Sequence, residues 1–449
     1  MGRFVVIGAG KSGLAAAAHL VGTGAEVVLS DRSVCPDPAL VAELASLGVM
    51  GVWGAHPLSL LEDCCEVILS PGVPPSIPFV QKAHELRIPV IGELELGHRV
   101  LRERRDGSMI LAVTGTNGKS TTTDLLAHLL KTAGLPSIAC GNLGTPLLTA
   151  LQGAGPNTRF AVECSSYQLE TIRCFHAEAS VLLNLTPDHL ARHGSMEAYL
   201  DAKLRIFERQ DLADLRLTPA QDPTFDAFAS GHGHAARFGW GAPKGIGAWC
   251  DKDELFLVDA KGNTERLVHR DELKIPGRHN VENALAASAL AQHGGASLEA
   301  IREGLRNYPG LAHRIAFVGE KNGIKAYNDS KGTNVDATLT AIHALPGPLV
   351  LILGGEDKGA PYEPLRTALK GKLRHLVFLG DAIPQLELDL GDLEHTSIRS
   401  FDEAVAAALA KAQPGDQVLL SPACASFDQF RNFEQRGDHF EALVKAWIR

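Results

Sequence analysis

The chain has 449 residues, of which 45% are hydrophobic and 21% charged, and its formal net charge is -9. That length suits roughly three ordinary domains, and that much apolar sequence excludes a disordered chain. Net acidity argues against nucleic acid as the main partner, because a phosphate backbone calls for a basic surface.

Eight cysteines stand at positions 35, 64, 65, 140, 164, 174, 250 and 424, with no C-x-x-C pair and no zinc spacing. They read as reduced thiols, several of them acting as small hydrophobes. The first residues enter an apolar strand directly, without a signal-peptide layout. No apolar run nears the ~20 residues that a membrane span takes. A soluble, cytoplasmic protein with no membrane partner is expected.

The first segment, residues 1–95, opens with a strand at Phe4-Val5-Val6-Ile7, then Gly8-Ala9-Gly10-Lys11-Ser12-Gly13 and a helix from Leu14 to Val21. Further strands are read at Glu26 to Leu29, ending at Asp31, and at Glu66 to Leu69, running into Ser70-Pro71-Gly72. Strands alternating with helices predict a parallel, Rossmann-like sheet. Gly8-x-Gly10-x-x-Gly13 with Asp31 beyond it has the spacing of a dinucleotide fingerprint. The same turn suits any pyrophosphate, that of a UDP-sugar included, since only backbone amides and a helix end touch it. A purely structural glycine turn is the third possibility.

The second segment, residues 96–310, carries the most informative motif. The apolar run Met109 to Val113 leads into Gly115-Thr116-Asn117-Gly118-Lys119-Ser120-Thr121, and a helix follows to Lys131. Strand, glycine loop, Lys-Ser and helix make a phosphate cradle: backbone amides and the helix end face phosphate oxygens, lysine adds a full charge, and serine can hold Mg²⁺. The spacing is shorter than in the common P-loop, with Val113 at the first glycine position. The alternative is a strand-to-helix turn that happens to contain Lys-Ser. Ala139 to Gly144 reads as a glycine-rich loop. Arg159 to Val162 is a strand delivering Glu163, a candidate Mg²⁺ ligand with Ser120 and His189. Ser180 to Leu183 is a strand ending at Asn184-Leu185-Thr186-Pro187-Asp188-His189. Lys203 lies on a helix, Asp201 to Phe207, where composition alone favours a surface charge. Residues 208–250 are the least informative, and the Gly-His-Gly-His stretch with His232 and His234 reads as a loop with no metal assigned. Gly277-Arg278-His279-Asn280 opens a helix on which Asn280 and Asn283 share a face. These amides suit an adenine edge or a phosphate, or Asn280 simply caps the helix.

The third segment, residues 311–449, begins with the polar cluster Asn328-Asp329-Ser330-Lys331-Gly332-Thr333-Asn334. A strand from Pro348 to Leu353 leads into Gly354-Gly355-Glu356-Asp357-Lys358. Strands at Leu376 to Leu379 and Gln417 to Leu420, with an Ala-rich helix from Ala404 to Ala412, predict another Rossmann-like α/β unit. Ser421 to Gly437 follows the last strand and is placed to build a pocket at its carboxyl end.

Taken together, these motifs resemble the Mur ligases, the ATP-dependent amide-forming family of peptidoglycan synthesis. The resemblance spans nearly the whole chain. It rests on the Gly115 to Thr121 loop, Asp188-His189, Tyr199-x-x-Ala202-Lys203-x-Arg205-Ile206-Phe207, Gly277-x-His279-Asn280-x-x-Asn283, His313-Arg314, and Asn328-Asp329-Ser330-Lys331-x-Thr333-Asn334. Ser421 to Gly437 is most similar to the D-glutamate-adding branch, and the Asp-Asn-Pro-Arg signature of the diaminopimelate-adding branch is absent. Ala191 and Tyr167 depart from the residues common in the family, Asp and Phe.

The resemblance implies an α/β protein of three domains: a Rossmann-like UDP-substrate domain, a central P-loop ATPase-like domain with a parallel or mixed sheet, and a Rossmann-like amino-acid domain. It implies addition of D-glutamate to UDP-N-acetylmuramoyl-L-alanine through an acyl phosphate, with ATP and two Mg²⁺. Lys119, His189 and Lys203 would be catalytic, with Lys203 carbamylated. Gly115 to Thr121, His279, Asn280, Asn283, Arg314, Asp329 and Lys331 would bind ATP; Ser120, Glu163, His189 and Lys203 would hold metal. Lys11, Ser12, Asp31, Arg32, Ser70, Gly72, Asn142 and Ser165 would hold the UDP-substrate, which decides the first glycine turn against NAD. Thr333, Lys358, Ser426 and Phe433 would hold D-glutamate. A monomer is expected, with closure about links near 96 and 310. The competing readings are an NAD-dependent oxidoreductase, a non-enzymatic nucleotide-binding regulator, and a ligase of this family using another amino acid.

Overall fold

The computed structural model describes residues 2–34, 37–225, 234–241, 247–258, 262–357, 359 and 361–449. Its strands fall into three sheets in chain order. The first holds β1 (Arg3–Ile7), β2 (Glu26–Asp31), β3 (Met50–Trp53), β4 (Cys64–Leu69) and β5 (Val90–Ile91), in the order β3-β2-β1-β4-β5. All its pairings are parallel. The short β3 and β5 lacked an apolar run long enough to be read from sequence.

The second sheet holds β6 (Met109–Thr114), β7 (Ser137–Gly141), β8 (Arg159–Glu163), β9 (Ala179–Leu182), β10 (Leu215–Pro219), β11 (His234–Trp240), β12 (Gly247–Asp251), β13 (Glu254–Val258) and β14 (Thr264–His269). Their order is β14-β13-β12-β11-β10-β9-β6-β8-β7. Pairing is parallel from β7 across to β12 and antiparallel from β12 to β14, so the sheet is mixed. Five of these strands come from sequence that gave little signal. His234 opens β11 rather than lying in a loop, whereas His232 is outside the described residues.

The third sheet holds β15 (Ala316–Lys321), β16 (Ile324–Asn328), β17 (Leu349–Gly354), β18 (Leu373–Leu379), β19 (His395–Ile398) and β20 (Gln417–Leu420), in the order β15-β16-β20-β17-β18-β19. β15 pairs antiparallel with β16, and the pairings from β16 to β19 are parallel. Every residue of β17, Leu-Val-Leu-Ile-Leu-Gly, is buried. A continuous apolar run of this kind belongs to a strand covered on both faces.

Contacts divide the chain into two units, residues 1–272 with 281–307, and residues 273–280 with 308–449. Within the first, one core joins the first two sheets: Val6, Ala17 and Leu29 belong to the same cluster as Ile110, Leu147 and Phe160. The helix Glu93–Arg104 runs through the division expected near 96. It packs tightly on the helix Leu147–Gln152, since a Cβ on Gly97 would lie 2.9 Å from Leu147. The second unit has apolar clusters on both faces of its sheet.

Candidate active site

In the first sheet the order in which strands are added reverses between β1 and β4, and ligands bind outside the carboxyl ends at such a point. Gly8 follows β1 with φ 99°. Gly13, in the helix Lys11–Gly22, could carry no Cβ, which would fall 2.0 Å from Gly8 O. Ser70, after β4, donates its hydroxyl to Gly8 O at 3.1 Å. Asp31 accepts from Ala9 N at 2.8 Å and from Ser33 N at 2.8 Å, so the acidic residue of the fingerprint braces the turn. Lys11, Arg32 and Gly72 are exposed around it and Ser12 is half-buried.

The phosphate loop lies in the second sheet, after β6 and beside the ends of β8 and β9. Gly115 (φ 149°) and Gly118 (φ 82°) adopt backbone that favours glycine. A Cβ on Gly118 would also lie 2.4 Å from Asn283 Oδ1, which accepts from the Thr122 hydroxyl at 3.1 Å. Asn184 shapes the loop: its Oδ1 accepts from Thr116 N at 3.1 Å and Asn117 N at 2.8 Å, and its Nδ2 donates to Asn117 O at 3.1 Å. In the sequence Asn184 stands out only as the polar end of a strand. The helix Lys119–Thr132 starts directly after these amides, and a helix N-terminus carries partial positive charge. The Lys119 Nζ donates to Gly115 O at 2.9 Å and Thr116 O at 2.7 Å. Ser120 and Thr121 are buried at the helix start.

Glu163 ends β8 and is 2% exposed. Its Oε1 accepts from Asn142 Nδ2 at 2.7 Å, while Oε2 is buried without a hydrogen-bond partner. An orphaned carboxylate oxygen in this place fits a hard cation such as Mg²⁺, for which oxygen donors are the preferred ligands. Asn142 follows β7, which takes up residues 139–141 of the stretch expected as loop. Ser165 caps the short helix Ser166–Leu169 in a reciprocal box with Gln168.

Lys203 is 1% exposed near the end of the helix Met196–Leu204, and is not the surface charge that composition favours. Its Nζ donates to Gly115 O at 2.7 Å, the carbonyl that Lys119 also uses, and lies 4.6 Å from the Tyr199 ring centroid. Burial, and then the Lys119 charge, pull its pKa down from 10.5 to about 7. Tyr199 is itself buried, with its hydroxyl 3.2 Å from that of Thr116. His189 is exposed, in left-handed backbone (φ 55°). Its Nδ1 is 3.0 Å from the Tyr167 hydroxyl, so one of the two departures from the family pattern touches a candidate metal ligand.

In the second unit His279 is pushed down to about 4 by burial and then by Arg314. The helix Arg278–His293 begins before Asn280, which therefore does not cap it; Asn280 Nδ2 donates to Pro276 O at 2.6 Å. Arg314 is flanked by His313 (φ 60°) and Ile315 (φ 49°), and a β-branched residue is strained there. Asp329 holds that turn by accepting from Ile315 N at 3.2 Å and from the Ser421 hydroxyl at 2.6 Å. Burial raises the Asp329 pKa to about 7. Lys331 Nζ lies 5.7 Å from the Phe433 ring centroid, Ser426 is 2% exposed and Thr333 is half-buried. Lys358 lies outside the described residues. Arg436, unmarked by any sequence signal, is 1% exposed and ties Ser330 to Cys424 and Ala425.

Three family models match this chain: Mur ligase MurD-like, N-terminal domain, over residues 2–92; Mur ligase middle domain, over 113–291; and Mur ligase, glutamate ligase domain, over 313–424. The UDP-N-acetylmuramoylalanine–D-glutamate ligase of Alkaliphilus metalliredigens is 40% identical over 458 residues, covering 100% of this chain and 98% of the relative. That of Pelotomaculum thermopropionicum is 40% identical over 448 residues, covering 98% and 97%. Two solved structures share the fold: UDP-N-acetylmuramate-alanine ligase of Thermotoga maritima (TM-score 0.59, 20% identity) and a pseudomurein peptide ligase type C of Methanothermus fervidus (TM-score 0.57, 18% identity), each covering 100% of both chains.

Proposed function

The chain belongs to the Mur ligase family, and from that premise we infer how its own residues add D-glutamate to UDP-N-acetylmuramoyl-L-alanine at the expense of ATP, in peptidoglycan precursor synthesis. The observation that carries the reading is the glycine loop with Lys119 and Ser120, beside the orphaned Glu163 oxygen.

A carboxylate is a poor electrophile at neutral pH. Transfer of the γ-phosphoryl group of ATP to the L-alanyl carboxylate breaks its bond to the β-phosphate, releases ADP and makes an acyl phosphate; the D-glutamate amine attacks its carbonyl, loses a proton, and inorganic phosphate leaves. The protein's contribution is positioning and charge neutralisation. The helix-end amides, Lys119 and Thr121 hold the phosphates, with Thr116 and Asn117 keeping the loop in shape. Mg²⁺, when bound, supplies neutralisation of phosphoryl and carboxylate oxygens; Ser120 and Glu163 would hold one ion, and His189 with carbamylated Lys203 a second. A lysine half-neutral near pH 7 suits carbamylation, since the neutral amine attacks CO₂ and releases a proton.

His279, Asn280, Asn283, Arg314, Asp329 and Lys331 complete the ATP site in this reading, and Thr333, Lys358, Ser426 and Phe433 receive D-glutamate. Lys11, Ser12, Asp31, Arg32, Ser70 and Gly72 hold the UDP group, with Asn142 and Ser165 nearer the reacting end. Residues 1–95, 96–310 and 311–449 serve as the three functional domains. The reading includes a monomer acting in the cytoplasm without nucleic acid. Among the described residues no helix is long and apolar enough to cross a membrane.

The test follows oxygen. With ¹⁸O in the L-alanyl carboxylate, one labelled oxygen is expected in the released phosphate. Unlabelled phosphate alongside product would contradict the acyl-phosphate route.

A further inference from the structure

The crevice of the third sheet lies between β17 and β20. From β17 the chain proceeds to β18 and β19, then returns to β20 on the other side of β17. The carboxyl ends of such a pair are where open α/β sheets take ligands. The loops that leave β17 and β20 are joined there by backbone bonds: Gly354 N donates to Pro422 O at 2.9 Å, and Glu356 and Ala425 exchange N–H···O bonds of 3.1 and 3.2 Å. One side-chain link runs beside them. The Tyr362 hydroxyl donates to Asp357 Oδ1 at 2.7 Å and lies 2.9 Å from Cys424 Sγ. Tyr362 is 1% exposed and Cys424 wholly buried. The Asp357 Oδ1 also accepts from Gly359 N at 3.1 Å.

We propose that Tyr362 is a positioning residue for the amino-acid substrate: its hydroxyl, held between Asp357 and Cys424, fixes the loop after β17 against the loop that carries Ser426. The inference rests on the reading that D-glutamate binds at this end of the third sheet. The phenol uses both of its capacities, donating its proton to the carboxylate and accepting from the thiol. Burial keeps that thiol protonated as a donor, with its pKa pushed up to about 11. Phenylalanine would fill the same volume but leave the thiol without an acceptor and release Asp357 from the buried side. Sequence gives no hint of this link, because the partners stand 5 and 62 residues from Tyr362.

The experiment compares Tyr362→Phe, Asp357→Ala and the double variant with the unmodified full-length chain. The readouts are KM for D-glutamate, ATP and the UDP-substrate, with thermal unfolding alongside. Loss of the link should raise KM for D-glutamate about fivefold in Tyr362→Phe, with the other two constants within about twofold. The double variant should be no worse than Asp357→Ala alone, because both substitutions remove one shared bond. An unmodified chain without D-glutamate-dependent phosphate release overturns the substrate reading and the positioning role together. A D-glutamate-dependent chain whose KM is unmoved by Tyr362→Phe overturns the positioning role alone. So does an equal rise of all three constants with a lowered unfolding temperature, or a double variant whose effects add. Asp357 is exposed, so its variant answers the question even if Tyr362→Phe fails to fold.

Discussion

Two lysines meet at one carbonyl oxygen, that of Gly115, and the proposed chemistry turns on how their charges are arranged. Neither ammonium is welcome beside the other in a buried place, and the more buried one, Lys203, yields. Its neutral fraction grows as pH rises through about 7. At fixed dissolved CO₂, a preparation stripped of CO₂ should therefore regain activity about tenfold faster at pH 8 than at pH 6. Lys203→Ala should lose about 100-fold or more in turnover. Short-chain carboxylic acids should restore part of it by replacing the lost anion. Failure of rescue together with a flat pH dependence would contradict carbamylation. Lys119, Ser120 and Glu163 were legible in the sequence because strand, loop and helix follow one another within a few residues. Asn184, Tyr199 and Arg436 were not. They act through hydrogen bonds to residues 67, 83 and 106 positions away, which no local pattern encodes.

At the scale of elements, the helix Glu93–Arg104 shows how the first two sheets are joined. Glu95 accepts from three successive amides, those of Arg173, Cys174 and Phe175. Arg99 carries the connection on by bonding both Glu95 and Glu66. Glu93, the first residue of the helix, accepts from Leu148 N at 2.7 Å but keeps a buried Oε2 without a partner, and burial raises its pKa from 4.5 to about 7. The folded state thus holds this proton to higher pH than the unfolded chain does. Stability from this group is present below 4.5 and lost as pH rises to about 7. The gap corresponds to roughly 3 kcal/mol. Urea unfolding at pH 5 and pH 8 should show wild type losing about that much relative to Glu93→Gln; parallel curves would contradict it. Legibility follows the same physics here. β1, β6 and β17 are apolar runs buried on both faces and were read directly. β10 to β14 were not, because polar residues and glycine interrupt them, as Arg216 and Thr218 do in β10, Arg237 and Gly239 in β11 and Glu265 and Arg266 in β14, and leave no continuous apolar run.

For the whole molecule, three successive α/β sheets were legible from strand–helix alternation, and the family resemblance ordered them by task. The antiparallel edges β13–β14 and β15 were not, since nothing in a short strand's sequence states its direction. The fold alone is shared with ligases named for other substrates, so the fold by itself does not decide the substrate. The most direct measurement of the central claim supplies the full-length chain with ATP, Mg²⁺, bicarbonate and UDP-N-acetylmuramoyl-L-alanine, offers single amino acids in turn, and follows ADP release and product mass. The account predicts ADP release and a product heavier by one glutamate residue with D-glutamate, and neither with L-alanine, L-lysine or diaminopimelate. Ligation of one of those three in place of D-glutamate, or no ADP release with D-glutamate, would contradict it.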